Sequence, residues 1–322
     1  MFYDQIKGRI AFSTDEIEDF VIARSDGSPT YQLVVAVDDA DMGITDVVRG
    51  DDHVNNTPKQ ILLYRALGRE PPRFAHLPMV LGPDRAPLSK RHGAASVLEY
   101  RDLGYYPDAL VNFLARLGWS HGDQEIFTRD ELIAKFAIDD VGSSPGVFDP
   151  EKLDWLNAQY LRARTAAELA ADLREFARRQ GRTLRGDEAW QARMVATLRE
   201  RVRTLQELLA AARYYLEEEV VFDEAAVRKL LVPEAAPLLE TLLERLEHLP
   251  QWDAASLEPA FRAAAGEHGQ KLGKLAQPVR VAVTGGKQSP GIFDVLEVVG
   301  RDRSLRRLRA GVEMCRRPAP AA

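Results

Sequence analysis

The stretch ITDVVRGDDHVNNTPKQILLYRALGREPPRFAHLPMVL, Ile44 to Leu81, carries strand, helix and strand signals in that order. Ile44 to Val48 is a short apolar run that suits a strand, and it delivers Arg49-Gly-Asp-Asp-His53 at its carboxyl end. Thr57 can cap the helix that follows, and Pro58 suits the first helical position. Ile61, Leu62 and Leu67 give that helix an apolar side, and Gly68 stops it. Phe74 to Leu81 is strand-like with a proline kink at Pro78. A strand–helix–strand unit of this kind points to part of a parallel, doubly wound α/β sheet.

Outward from this unit, Phe20 to Ala23 and Tyr31 to Val37 also read as strands. The turn Ser25-Asp-Gly-Ser-Pro29 separates them, and the acidic turn Asp38-Asp-Ala-Asp41 follows. After Gly93 the pattern is mostly helical. Asp108 to Leu117 places Leu110, Phe113, Leu114 and Leu117 at helical spacing before Gly118. From about Leu161, Ala-, Leu-, Glu- and Arg-rich periodic segments dominate through Leu249, and a turn-rich segment, Thr284 to Gly291, interrupts the last helices.

A chain of 322 residues can form two or three domains, each with its own core. No apolar run is long enough to span a bilayer, and the start MFYDQIKGRI has no apolar signal-peptide region. The single cysteine, Cys315, rules out an internal disulfide and a cysteine-based zinc site, so no protein-bound zinc is expected. A reducing cytoplasm is the expected location. Residues 1–160 carry 16 Lys/Arg against 26 Asp/Glu, whereas residues 161–322 carry 27 against 23. That asymmetry suggests a polyanionic partner for the second half, although two domains differing by charge drift have the same signature.

Three constellations could carry chemistry. Ala86-Pro-Leu-Ser-Lys-Arg-His-Gly93 is a basic loop between small residues. Lys90 on such a loop can meet phosphate as charge builds on a leaving pyrophosphate, with Ser89 and Gly93 giving backbone freedom and Arg91 added charge. The ordinary alternative is an exposed basic turn. Arg49 sits where ligands bind in open α/β sheets, beyond the carboxyl ends of the strands, and can grip a carboxylate with two prongs. Alternatively it is a counter-ion for Asp46, Asp51 and Asp52, or Asp38, Asp39, Asp41, Asp51 and His53 form a divalent-metal site. Tyr31 can offer its hydroxyl to a ligand or simply fill the core.

Taken in order, SPTYQLVVAVDDADMGITDVVRGDDHVNNTPKQILLYRALG, PRFAHLPMVLGPDRAPLSKRHG and LGYYPDALVNFLARLGWSHGDQEIF closely resemble bacterial glutamyl-tRNA synthetases. These are class I aminoacyl-tRNA synthetases, and LSKR stands in the place of their KMSKS-type loop. The likeness runs from Tyr3-Asp-Gln-Ile-Lys-Gly8 to SPGIFDVLEVVGRDRSLRRL. The resemblance implies ATP-dependent attachment of L-glutamate to tRNA(Glu), with magnesium accompanying ATP. It further implies that Tyr31 and Arg49 hold glutamate, that His53 lies on the ATP side, and that Lys90, with Ser89 and Arg91, serves the triphosphate. Ser289 and Pro290, with Lys287 beside them, match the family's anticodon-contacting loop. Lys271, Lys274 and Arg280 before it, and Arg306, Arg307 and Arg309 after it, are then expected to face phosphates.

The implied architecture is the C-terminal half of a Rossmann-type catalytic domain over 1–95, a stem-contact region over 96–160, and a helical anticodon-binding domain over 161–322. No strand with a His-Ile-Gly-His-like motif precedes Phe2, so the chain is read as the later two thirds of the enzyme, with a separate N-terminal synthetase half among the expected partners. Pro87 stands where the family usually has lysine, and Asp51 where glutamate is usual. Two readings of the isolated chain stay open: a glutamate–tRNA ligase, or a catalytically inactive tRNA-binding fragment.

Overall fold

A computed structural model of the chain describes residues 1–89 and 96–316, which fall into two compact units. Among the described residues, 1–89, 96–101 and 105–157 form the first, and 102–104 with 158–316 the second. The expected division between 95 and 96 therefore lies inside the first unit.

In the first unit, β1 (Phe2–Asp4), β2 (Gly8–Ile10), α1 (Tyr31–Asp41), β3 (Asp46–Gly50), α2 (Thr57–Ala66) and β4 (Arg73–Leu77) follow in sequence. The four strands form one sheet in the order β2-β1-β4-β3. β3 and β4 are parallel, in register from Asp46 opposite Arg73 to Gly50 opposite Leu77. β1 lies parallel to β4 on its other side, and β2 closes antiparallel on β1. The α2 crossover between β3 and β4 is the unit that Ile44 to Leu81 predicts, and it brings Arg49 and His76 to neighbouring strand ends. β4 stops at Leu77 because Pro78 has no N–H to continue the ladder.

Two expected strands are absent. Tyr31 to Val37 lies in α1, capped by Thr30 in an extended conformation. Leu33, Ala36, Val37 and Ala40 follow i, i+3, i+4, i+7 spacing, and Ala36 is fully buried where α1 packs along α2. Three valines cost a helix only about 0.5 kcal/mol each, which burial of that stripe outweighs. Phe20 to Ala23 makes only one isolated bridge, Ala23 to Pro29, and Val21 and Ile22 are exposed, so this segment joins no sheet.

The remainder of this unit is helical: α3 (Val97–Asp102), α4 (Pro107–Arg116), α5 (Arg129–Lys135) and the start of α6 (Pro150–Ala163). The helix read from Asp108 to Leu117 is α4. Thr128 and Glu131 form a reciprocal capping box that starts α5, as their three-residue spacing allows. Trp119, Phe127, Leu132 and Val141 form a small core beside it.

The second unit continues with α7 (Ala166–Arg179), α8 (Glu188–Leu198), α9 (Leu205–Ala211), α10 (Arg213–Leu216) and α11 (Glu224–Leu230). It ends with α12 (Ala236–Glu247), α13 (Ala254–Glu267), α14 (Leu272–Thr284), α15 (Ile292–Val299) and α16 (Arg301–Arg316). Its core is built from leucines such as Leu173, Leu208, Leu239 and Leu242, all with no exposed surface. Gly285 ends α14 at φ +82°, and a side chain there would collide with the Val221 carbonyl, so only glycine fits. Arg307 is buried within α16 and donates to the carbonyls of Tyr214, Glu217 and Val283 at 2.8, 2.8 and 2.9 Å. It thereby satisfies carbonyls that α10 and α14 leave open at their carboxyl ends.

Candidate functional site

The first cluster forms at the carboxyl ends of β3 and β4. Arg49 Nη2 donates to Thr57 Oγ1 at 2.8 Å and to Gln60 Oε1 at 2.9 Å, and Nε donates to His76 Nε2 at 3.2 Å. The guanidinium also lies 5.7 Å from the Phe74 ring centre. Thr57 was expected to cap α2. Instead it is the first residue inside the helix, Asn56 occupies the cap position without a side-chain bond, and the Thr57 hydroxyl turns to Arg49.

Tyr31, at the start of α1, and His53 approach this arginine from its open side. The Tyr31 hydroxyl lies 3.5 Å from His53 Nδ1, which also meets Asn56 Nδ2 at 3.0 Å. Tyr31 is half exposed, so it is not a core aromatic. The structure thus gathers Tyr31, Arg49 and His53 into one place. Burial pulls Arg49 below the usual arginine pKa, opposed by Tyr31, Asp39 and Asp52. Burial likewise pushes Asp39 up and lifts Tyr64 to about 12. Gln32 Oε1, Gln60 Nε2 and Tyr64 OH are buried without a hydrogen-bond partner among the described residues.

The aspartates have other partners. Asp46 pairs with Arg73 at 2.8 Å, Asp51 with Lys7 at 2.8 Å, and Asp52 with His53 at 3.6 Å. Arg49 makes no hydrogen bond to any of the three; its hydrogen bonds go to neutral acceptors, although Asp52 and Asp39 act on its charge through space. Among the described residues no three His, Cys, Asp or Glu side chains are gathered as a metal site requires. Lys7 Nζ also donates to the Ser143 carbonyl at 3.0 Å, so the shorter Asp51 side chain is tied to two other loops.

The strand end leads into the basic loop. Leu88 N donates to the Val80 carbonyl at 2.9 Å, and Leu81 bridges Pro87, so the segment before the loop is folded back on itself. Ser89 is the last residue described there; Lys90 and Arg91 lie outside the described residues.

A second candidate lies in the helical unit. An open hollow of about 470 Å³ is lined by Arg193, Thr197, Arg201, Pro290, Asp294 and Glu297, among others. Its lining mixes the guanidinium donors of Arg193 and Arg201 with the carboxylate acceptors of Asp294 and Glu297. Pro290 lines this hollow. Ser289 is buried, with its hydroxyl donating to the Pro290 carbonyl at 2.9 Å, so it shapes the turn from inside. Lys287 is exposed. Arg193 and Arg201 escaped sequence reasoning because they stand about 90 residues from the turn and lie in ordinary helical text. Among the flanking bases expected to face phosphates, Arg307 is buried and turned inward, whereas Lys271, Lys274, Arg306 and Arg309 are exposed. Arg307 is used on carbonyls, Arg306 pairs with Glu218, and Arg309 pairs with Glu247 at 2.7 Å.

Two families match this chain. The catalytic domain of class I tRNA synthetases (E and Q) covers residues 1–155, and an anticodon binding domain covers 166–312. The glutamate–tRNA ligase of Geotalea uraniireducens is 52% identical over 316 residues, which are 98% of this chain and 68% of that protein. The glutamate–tRNA ligase of Geobacter sulfurreducens is 52% identical over 311 residues, 97% of this chain and 66% of that protein. Among solved structures, a glutamate tRNA ligase from Elizabethkingia meningosepticum in complex with its amino acid superposes with a TM-score of 0.84 at 28% identity. That match covers 97% of this chain and 65% of the other. The chain spans about two thirds of the length of the relatives it matches.

Proposed function

Because the chain belongs to the glutamate–tRNA ligase family of class I tRNA synthetases, we propose that it carries two parts of an enzyme that attaches glutamate to tRNA(Glu) with ATP: the amino-acid-holding part and the anticodon-reading part. The observation that carries this reading is Arg49. A half-buried guanidinium whose hydrogen bonds go to a hydroxyl, an amide and an imidazole keeps its charge for an incoming carboxylate. Tyr31 and Arg49 hold L-glutamate, and His53 stands on the ATP side.

In the proposed chemistry, a glutamate carboxylate attacks the α-phosphate of ATP and pyrophosphate leaves. Magnesium arrives with ATP as part of the substrate. Lys90, helped by Ser89 and Arg91, stabilises the charge that moves onto the pyrophosphate; this role rests on motif order. A ribose hydroxyl of the tRNA's terminal adenosine then attacks the carbonyl of the glutamyl adenylate, forming the ester as AMP leaves. Residues 96–160 serve as the stem-contact region. Lys287, the turn at Ser289 and Pro290, and Arg193 and Arg201 of the adjoining hollow form the anticodon-reading surface.

A second reading is that the chain binds tRNA(Glu) without charging it by itself, the part of the relatives that it does not span being needed for the chemistry. One set of measurements separates the two. The chain is titrated with L-glutamate and with tRNA(Glu), and ATP-dependent charging is assayed. Charging by the chain alone selects the first reading, and tRNA binding without charging selects the second. Arg49→Ala should abolish glutamate binding while leaving tRNA binding intact. Failure to bind either ligand overturns both readings.

A further inference from the structure

Arg49, His76 and Asp4 lie on the three adjacent parallel strands β3, β4 and β1. Arg49 and His76 are direct cross-strand partners, and Asp4 is opposite Phe74, two residues before His76. All three side chains therefore share one face of the sheet. Asp4 and His76 have no exposed surface, and Asp4 Oδ2 lies 2.5 Å from His76 Nδ1. Asp4 cannot swing away, because its carboxylate also accepts from the backbone amides of Ile6, Lys7 and His76 at 2.8 to 3.2 Å. The His76 ring is fixed as well, with Phe74 stacked on it at 6.1 Å and Phe2 edge-on at 6.5 Å.

Resting on the reading of Arg49 as the glutamate-holding group, we propose that Asp4 and His76 are its positioning residues. The Asp4 carboxylate accepts a hydrogen bond from His76 Nδ1–H, which holds the proton on Nδ1 and leaves the Nε2 lone pair as an acceptor. That acceptor receives Arg49 Nε–H at 3.2 Å, while Thr57 and Gln60 receive Nη2. Fixing Nε and Nη2 fixes the plane of the guanidinium, so its charge meets the substrate carboxylate without further ordering. A fixed plane matters here because β3 is hydrogen-bonded on one side only among the described strands.

The test reads the guanidinium directly, by nitrogen-edited NMR of the full chain, with the Arg49 Nε–H signal identified by its loss in Arg49→Lys. In the unaltered chain the His76 nitrogens should report the Nδ1-protonated tautomer, and Arg49 Nε–H should exchange slowly with water. His76→Phe keeps a ring against Phe2 and Phe74 but removes both nitrogens. It should speed that exchange and weaken L-glutamate binding, each by about tenfold, with tRNA binding unchanged. His76→Gln, which can donate to Asp4 and accept from Arg49, should restore most of both. An Nε2-protonated tautomer in the unaltered chain overturns the proposal without any variant. So does a folded His76→Phe in which Arg49 Nε–H exchange is unchanged. If the exchange responds as expected but no form binds glutamate, the glutamate reading of Arg49 falls while the positioning stands.

Discussion

Thr57 Oγ1 accepts a hydrogen bond from Arg49 Nη2 at 2.8 Å, so the residue best suited by sequence to cap α2 serves the neighbouring strand end instead. Its hydroxyl also lies 3.1 Å from His76 Nε2, so one small side chain touches both the arginine and the imidazole, which also meet directly. α2 thus begins at the site and is held there by the site's own chemistry.

The first prediction follows from that contact. Thr57→Val keeps the shape and removes the acceptor, leaving a buried Arg49 donor unsatisfied at a cost of roughly 1–3 kcal/mol. L-glutamate affinity should fall at least about fivefold, and Thr57→Ser should retain it. Because Thr57 caps nothing, α2 helicity should not change. Calorimetric titration and far-ultraviolet circular dichroism of both variants check this; equal loss in Val and Ser would point to packing instead.

The second prediction concerns acid stability. Burial raises the Asp4 pKa, but hydrogen bonds from the Lys7 amide, the His76 side chain and amide, and the Ile6 amide outweigh it and leave Asp4 below the usual value of 3.8. A depressed carboxylate stabilises the fold fully above its unfolded-chain value, and that stabilisation fades as pH falls through the folded value. The window is therefore the region below about pH 4. Asp4→Asn should lower stability at neutral pH and flatten the acid limb there. Urea denaturation at a series of pH values measures it; parallel curves for the two proteins would contradict it.

The third prediction concerns Arg307. Arg307→Met leaves the carbonyls of Tyr214, Glu217 and Val283 without their donor, a loss of at least about 3 kcal/mol. Amides near the ends of α10 and α14 should then exchange faster with solvent, while those of β3 and β4 keep their protection. Arg307→Lys should rescue little, because one ammonium cannot span three carbonyls in a planar fork. Hydrogen exchange resolved by segment checks each point.

The fourth prediction separates charge from reading in the helical unit. Lys287 is exposed beside the turn, so Lys287→Ala should weaken all tRNAs alike and reduce the salt slope by about one. Arg201 lines the same hollow as Pro290, so Arg201→Ala should erase the preference for tRNA(Glu) over an anticodon-swapped version. Filter binding at several salt concentrations distinguishes the two. A preference that survives Arg201→Ala would remove the hollow from base reading.

Local chemistry in the sequence determined a good deal. Pro58 and Gly68 bracket α2, Thr128 and Glu131 start α5, and the β3–α2–β4 crossover follows from signals within 40 residues. The ordered motifs around Tyr31, Arg49 and His53 pointed to one site, and those three residues do meet. What depended on distant partners was not legible. Tyr31 to Val37 is a strand by its valines and a helix by its burial, since only contact with α2 favours one period over the other. Asp4 and His76 are 72 residues apart and ordinary in isolation; the sheet order β1-β4-β3 brings them into line with Arg49. Arg307 reads as one more surface charge beside Arg306 until the carbonyls of α10 and α14 surround it. Local signals set where elements begin and end, because caps, prolines and glycines act within a turn. Which polar group each buried side chain meets was decided by tertiary structure, because desolvation makes every such group find a partner wherever the fold provides one.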